Sequence, residues 1–183
     1  MRNSRILLKE AKGMVSKETW ASSVLYPYDP NLPLYKRIPT QIYTKFCLSQ
    51  ISNYFVDFKA REFTATATRI YMEVSASLNK GNRSNLVDYM THPNVEIAKI
   101  SQKHGKELPF KIFNDIKTAN IVYARISSET EDNSALVNFA HVTVKIDNLD
   151  ENGQTHSQTV VFERRLDNKL KESWKICFIE DLN

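Results

Sequence analysis

The chain has 183 residues, 42% of them hydrophobic and 25% charged, with a net charge of +4. That fits one compact domain with an arm, and it excludes a disordered chain, because there is enough apolar material to bury a core. Four Gly and six Pro exclude a collagen-like or Gly-rich repeat, and no apolar run reaches the length of a membrane span.

The charge is unevenly spread: +5 over residues 1–60, +3 over 61–118 and −4 over 119–183. Such an asymmetry points to a basic end that meets an anionic surface, either nucleic acid or anionic lipid. It is sharpest at the start. Arg2, Arg5, Lys9, Lys12 and Lys17 surround a single acid, Glu10, and Ile6, Leu7, Ala11, Met14 and Val15 recur beside them at helical intervals. A basic, amphipathic, acid-poor start has the character of a mitochondrial targeting segment, or of a retained arm. A short surface helix with a solvated basic face has the same pattern.

Residues 20–40 read as an extended segment, because Pro27, Pro30, Pro33 and Pro39 remove donors and push their predecessors toward extended geometry. Residues 1–40 are therefore expected to form the arm and residues 41–183 the domain. A helix is predicted over 40–58, capped by Thr40, with Tyr43, Cys47, Ile51, Tyr54 and Phe58 on one core-facing stripe that Ile42, Phe46 and Phe55 widen. A second is predicted over 60–78, with Phe63, Ala67, Ile70, Tyr71, Val74 and Leu78 inward and Gly81-Asn82 ending it. Short helices over 84–91 and 93–104 follow, separated by His92-Pro93. Lys99, Lys103 and Lys106 form a second basic stripe, solvated or set against phosphate.

From about residue 118 the apolar period changes from 3.6 to 2. Ala140, Val142, Val144 and Ile146 share a face of one strand, and Asp150–Gly153 reads as a hairpin turn. Val160, Phe162 and Leu166 share a face of the next strand. Trp174, Ile176 and Phe178 are expected to alternate with Cys177 and Ile179 in the last. The class is α+β: helices packed on a four-stranded antiparallel meander. Arg164 shares a face with Phe162 and is expected to pair with an acid inside, while Arg165 points outward. Trp174 is expected to fill the space between sheet and helices.

Catalytic and metal motifs are sparse. Cys47 and Cys177 are far apart, with no CxxC and no metal spacing, so two reduced thiols and no metal or cofactor are expected. His92, His104, His141 and His156 make no pair at ligand spacing. Asp88 and Tyr89 are ordinary helix residues, and there is no phosphate loop, nucleophile elbow or dinucleotide fingerprint. No catalytic residues are expected.

The run Thr159–Leu166, a polar turn, and Ser173–Glu180 with its Trp174 resemble the end of the Tim forty-four-like domain family. Val142-Thr143-Val144, Asn152-Gly153, Ile70-Tyr71 and Leu86 after Gly81-Asn82-Arg83 fit the same pattern, so the resemblance covers about residues 60–181. It implies a cone-shaped domain similar to the nuclear-transport-factor-two fold. That related fold also hosts enzymes, which place Asp, His or Tyr inside the cone. The family includes a subunit of the mitochondrial import motor and a protein of the mitochondrial large ribosomal subunit, and the Phe162-Glu163-Arg164 form is nearer the ribosomal member. The resemblance implies a non-enzymatic protein on the matrix side of the inner membrane, bound to ribosomal RNA and neighbouring ribosomal proteins near the exit site. Peripheral contact with the membrane or an insertase and no small-molecule substrate are implied too. Arg2, Arg5, Lys9, Lys12, Lys17, Lys99, Lys103 and Lys106 would meet the RNA or an anionic surface. An accessory subunit of an inner-membrane complex, in protein import or respiratory assembly, is the other reading. The chain departs from the family in having only about 60 residues before the matching region.

Overall fold

The structure is a computed structural model that describes residues 33–81, 85–105, 108, 110–131, 135–150, 152–166 and 173–182. Among the described residues four helices precede four strands: α1 (Leu34–Tyr54), α2 (Ala60–Asn79), α3 (Leu86–Tyr89) and α4 (His92–Lys103), then β1 (Asp115–Glu131), β2 (Ala135–Leu149), β3 (Thr155–Arg165) and β4 (Lys175–Leu182). The strands form one antiparallel sheet in the order β1-β2-β3-β4. The fold is α+β, with the meander that the period-2 patterning predicts.

One face of the sheet carries the core. Ala124 from β1, Ala140, Val142, Val144 and Ile146 from β2, Val160 and Phe162 from β3, and Ile176 and Ile179 from β4 are all buried there. Against them α2 lays Phe63, Ala67, Ile70, Tyr71 and Val74, and α1 lays Cys47 and Ile51. At the centre is an aromatic cluster. Trp174 lies 4.8 Å from Phe63, 5.6 Å from Phe58 and 6.0 Å from Phe55 between ring centroids, and Phe63 meets Phe162 edge-on at 5.7 Å. Arg164 covers this cluster: its guanidinium sits 3.9 Å over the Phe55 ring and donates to both Asp57 carboxylate oxygens. The acid expected for Arg164 is thus Asp57, and the pair lies at the exposed rim.

The first helix corrects the sequence reading. Residues 34–40 are helical, so α1 runs through the boundary placed at residue 40 and through Pro39. Pro33 starts it with φ −61° and ψ 149°, and its carbonyl accepts from the Lys36 and Arg37 N–H groups. Pro39 withdraws only the N–H that would meet the Tyr35 carbonyl, one turn from the helix start. Thr40, expected as the cap, lies in the second turn and bonds back to the Lys36 carbonyl through Oγ1.

The last strand holds a second correction. Val161 pairs with Phe178 but Phe162 pairs with Ile176, so Cys177 is an extra residue, a β-bulge. The bulge resets the alternation, and Ile179, not Phe178, joins Trp174 and Ile176 in the core. The junction of α3 and α4 pins this irregular segment. Thr91 N–H donates to the Ile176 carbonyl, Met90 bridges Ile176, and the Asn94 amide donates to the Ile176 and Cys177 carbonyls.

The β2–β3 connection is the expected tight turn. Gly153 adopts φ 76°, a left-handed conformation that a side chain resists, and its N–H donates to the Asp150 carbonyl. The Asp150 carboxylate accepts from the Asn152 and Gln154 N–H groups and from His156. The Gln154 N–H, then His156, hold its pKa below the ordinary carboxylate value.

Candidate functional site

Three features carry chemistry: an outward face of α1, a polar lock inside the fold, and a side-chain cluster on the outer face of the sheet.

Of the predicted basic residues, Arg2, Arg5, Lys9, Lys12, Lys17 and Lys106 lie outside the described residues. Lys99 and Lys103 sit on α4, and Lys103 is exposed in its last turn, where a cation is favoured by the helix dipole. Lys99 is also exposed, but it is paired with Glu96 at 2.8 Å. An exposed pair of this kind is worth little, so phosphate could replace the carboxylate at small cost. The structure does not set these two lysines with a third described cation into a pocket.

The larger surface feature is α1. Its inner side buries Thr44, Cys47 and Ile51. Its opposite side leaves Leu34 73%, Ile38 56%, Ile42 64% and Phe46 60% exposed, four apolar residues at a spacing of four, with Tyr35 beside them. Lys36, Arg37 and Lys45 are exposed on the same helix, which contains no acid. The stripe expected to face the core is therefore split. Cys47, Ile51 and Phe58 go inward, while Tyr43 and Tyr54 stay 44% and 47% exposed, and Ile42 and Phe46 turn outward. Tyr43 stacks on Tyr123 of β1, with ring centroids 6.2 Å apart. Among the described residues, no helix is long and apolar enough to cross a membrane. This face suits lying on an apolar-polar boundary.

Inside the fold, Tyr71 of α2 donates its hydroxyl proton to Gln158 Oε1 of β3 at 2.6 Å and accepts the Phe113 N–H at 3.1 Å. Gln158 Oε1 also accepts from Asn148, and its amide group donates to the Lys111 carbonyl and to Asp181 of β4. Tyr71, Asn148 and Gln158 are completely buried. The network ties α2, β2, β3, β4 and the strand-leading segment together at fixed register. Burial pushes the Tyr71 phenol up to about 12 from its ordinary 10, so it keeps its proton where the unfolded chain loses it. The stability this gives is whole below about pH 10 and is lost as the pH rises through about 12. Tyr71→Phe is expected to flatten that alkaline decline. It should also cost about 1 kcal/mol at neutral pH, because Gln158 Oε1 loses a donor. Denaturation midpoints recorded across the alkaline range check both; an unchanged slope would remove Tyr71 as its source.

On the other face of the sheet, cross-strand register aligns Arg125, His141, Glu163 and Lys175. His141 Nε2 lies 2.9 Å from Glu163 Oε2, and His141 Nδ1 lies 3.3 Å from Ser127 Oγ. The Cys177 bulge brings its thiol beside them: His141, Glu163 and Cys177 offer ligand atoms that all lie within 4.8 Å of one another. Among the described residues neither cysteine is in a disulfide. Sequence reading missed the cluster, because its three members come from three strands and only the bulge turns Cys177 toward the other two. The α1 face had a legible signal, the four-residue spacing of Leu34, Ile38, Ile42 and Phe46, which the breaker reading of Pro39 concealed.

No protein-family model matches the chain, and no curated protein matches it.

Proposed function

We propose that this protein is a non-enzymatic, membrane-docking component of the mitochondrial large ribosomal subunit, with a Tim forty-four-like, cone-shaped domain. The observation that carries the reading is the outer face of α1, an apolar stripe set among three cations with no acid. A helix of that composition binds an anionic bilayer in the interface plane. The stripe enters the acyl boundary, and Lys36, Arg37 and Lys45 meet lipid phosphates at about 1 kcal/mol each. The α+β order, the buried Trp174 and the inward Phe162 agree with the resemblance in the C-terminal half. Lys103, and Lys99 once released from Glu96, add non-sequence-specific phosphate contacts on α4.

Ile42→Asp combined with Phe46→Asp is expected to weaken co-sedimentation with anionic vesicles by at least about tenfold, since two anchors leave the acyl boundary. Both residues are exposed, so the unfolding free energy should stay within about 0.5 kcal/mol of the parent. Undiminished vesicle binding would remove α1 as the docking face.

The assembly itself is tested by gradient sedimentation of the tagged protein from detergent-lysed mitochondria, with and without ribonuclease and high salt. Migration with the large ribosomal subunit that is lost on digestion of the RNA supports the reading. Migration with a membrane complex that ignores nuclease replaces it with an accessory-subunit role in import or respiratory assembly.

A further inference from the structure

We propose that His141, Glu163 and Cys177 form a binding site for a borderline divalent cation, zinc foremost, on the outer face of the sheet. The inference is independent of the membrane reading. An imidazole, a carboxylate and a thiol are the three side-chain types zinc takes, and here their ligand atoms lie within 4.8 Å of one another. In a tetrahedral zinc site, nitrogen and oxygen ligands stand about 3.3 Å apart, given metal–ligand bonds of about 2.0–2.1 Å. The 2.9 Å between His141 Nε2 and Glu163 Oε2 thus needs to open by only a few tenths of an ångström.

A simple His–Glu pair would account for that one contact. The Cys177 thiol donates to the Val161 carbonyl at 3.5 Å, a weak bond that a metal would replace. The extra residue in β4 aims Cys177 at the pair, and the Asn94 amide clamps the carbonyls of Ile176 and Cys177 so that the bulge is held in place. Bulges commonly re-aim a side chain at a site in this way. Ser127 Oγ stands at the far nitrogen of His141, where its hydroxyl can rotate to accept the Nδ1 proton. That fixes the tautomer that presents the Nε2 lone pair, as the outer partners of metal-ligating histidines do. The side chain of Glu163 is 26% exposed while that of His141 is 5% exposed, so the ion enters past the carboxylate.

Binding is coupled to proton release. The thiol gives up one proton to solvent, and thiolate plus carboxylate then neutralise the divalent ion. Three protein ligands leave the fourth position of a tetrahedron to water or another small ligand from solvent.

Cobalt(II) is the probe, added to the metal-free full-length chain. The expected result is a stoichiometric tetrahedral d–d spectrum with a thiolate-to-cobalt charge-transfer band, both displaced by zinc. Cys177→Ser should abolish the charge-transfer band and weaken binding by at least about a hundredfold. Ser127→Ala should weaken it by about tenfold while keeping the band. Cys47→Ser should change neither, because Cys47 is buried in the core on the other side of the sheet. His141→Gln is read alongside, with far-ultraviolet circular dichroism recorded for every variant. If that buried substitution fails to fold, the isosteric Cys177→Ser carries the test alone. Absence of a tetrahedral spectrum in the parent, or a charge-transfer band that survives Cys177→Ser, overturns the site.

Discussion

Trp174→Ala is expected to remove about 3–5 kcal/mol of unfolding free energy, a large share of the 5–15 kcal/mol typical of a domain. The indole is 6% exposed and touches Phe55, Phe58 and Phe63, each from a different direction. Truncation at Cβ leaves a cavity lined by Phe55 and Phe58 of the α1–α2 connection and by Phe63 of α2. Each lost aromatic contact adds about 0.5–1.5 kcal/mol beyond the area term. The thermal midpoint should fall by about 10 °C. Trp174→Phe, which keeps a ring in the cluster, should recover at least half of the loss. Denaturant titration followed by circular dichroism measures both. A cost below about 1 kcal/mol for the alanine variant would show that the cluster is not the keystone of helix–sheet packing.

The second large effect belongs to Gln158→Leu. Leucine is one bond shorter and branched at Cγ, so it removes every polar atom of the side chain and cannot reach the same partners. Leucine leaves the Tyr71 hydroxyl and the Asn148 amide without their acceptor, and the Lys111 carbonyl and Asp181 without their donor. Tyr71 and Asn148 are completely buried, where an unmet polar group costs about 1–3 kcal/mol. A total loss of about 3 kcal/mol or more is expected, read from the same denaturant titration. Pairing it with Tyr71→Phe gives a further check. Once the phenol is gone, part of the penalty for Gln158→Leu disappears, and the double variant should be less destabilised than the sum of the two. Strict additivity would mean that the two side chains are not coupled.

What the sequence disclosed and what it withheld divide along a physical line. Features set by local periodicity were legible: α2 from Phe63, Ala67, Ile70, Tyr71 and Val74, the meander from alternating Val and Ile, the turn at Gly153, and the burial of Trp174. Features set by one residue's effect on register were not. The bulge at Cys177 exchanges Phe178 for Ile179 in the core, and nothing in the run Trp174–Ile179 marks which residue is the extra one. Pro39 argued for an extended segment, yet at the second turn of a helix it costs a single hydrogen bond, and the apolar residues on both sides of α1 outweigh it. The candidate sites were hidden for the same reason. His141, Glu163 and Cys177 meet only through strand pairing, and Tyr71 meets Gln158 only when α2 lies across the sheet.

The order of elements along the chain has a consequence for its biosynthesis. Among the described residues every helix precedes every strand, so a ribosome delivers Phe55, Phe58, Phe63 and Tyr71 before the sheet that will cover them. The meander itself is built from neighbouring hairpins and closes quickly once its strands are out. Its last strand brings Ile176 and Ile179, with Trp174 just ahead of them. Until the strands emerge the nascent chain carries an open apolar helix layer, a period in which it is prone to aggregate. A chain stalled before Trp174 would leave Phe55, Phe58 and Phe63 without the indole that joins them.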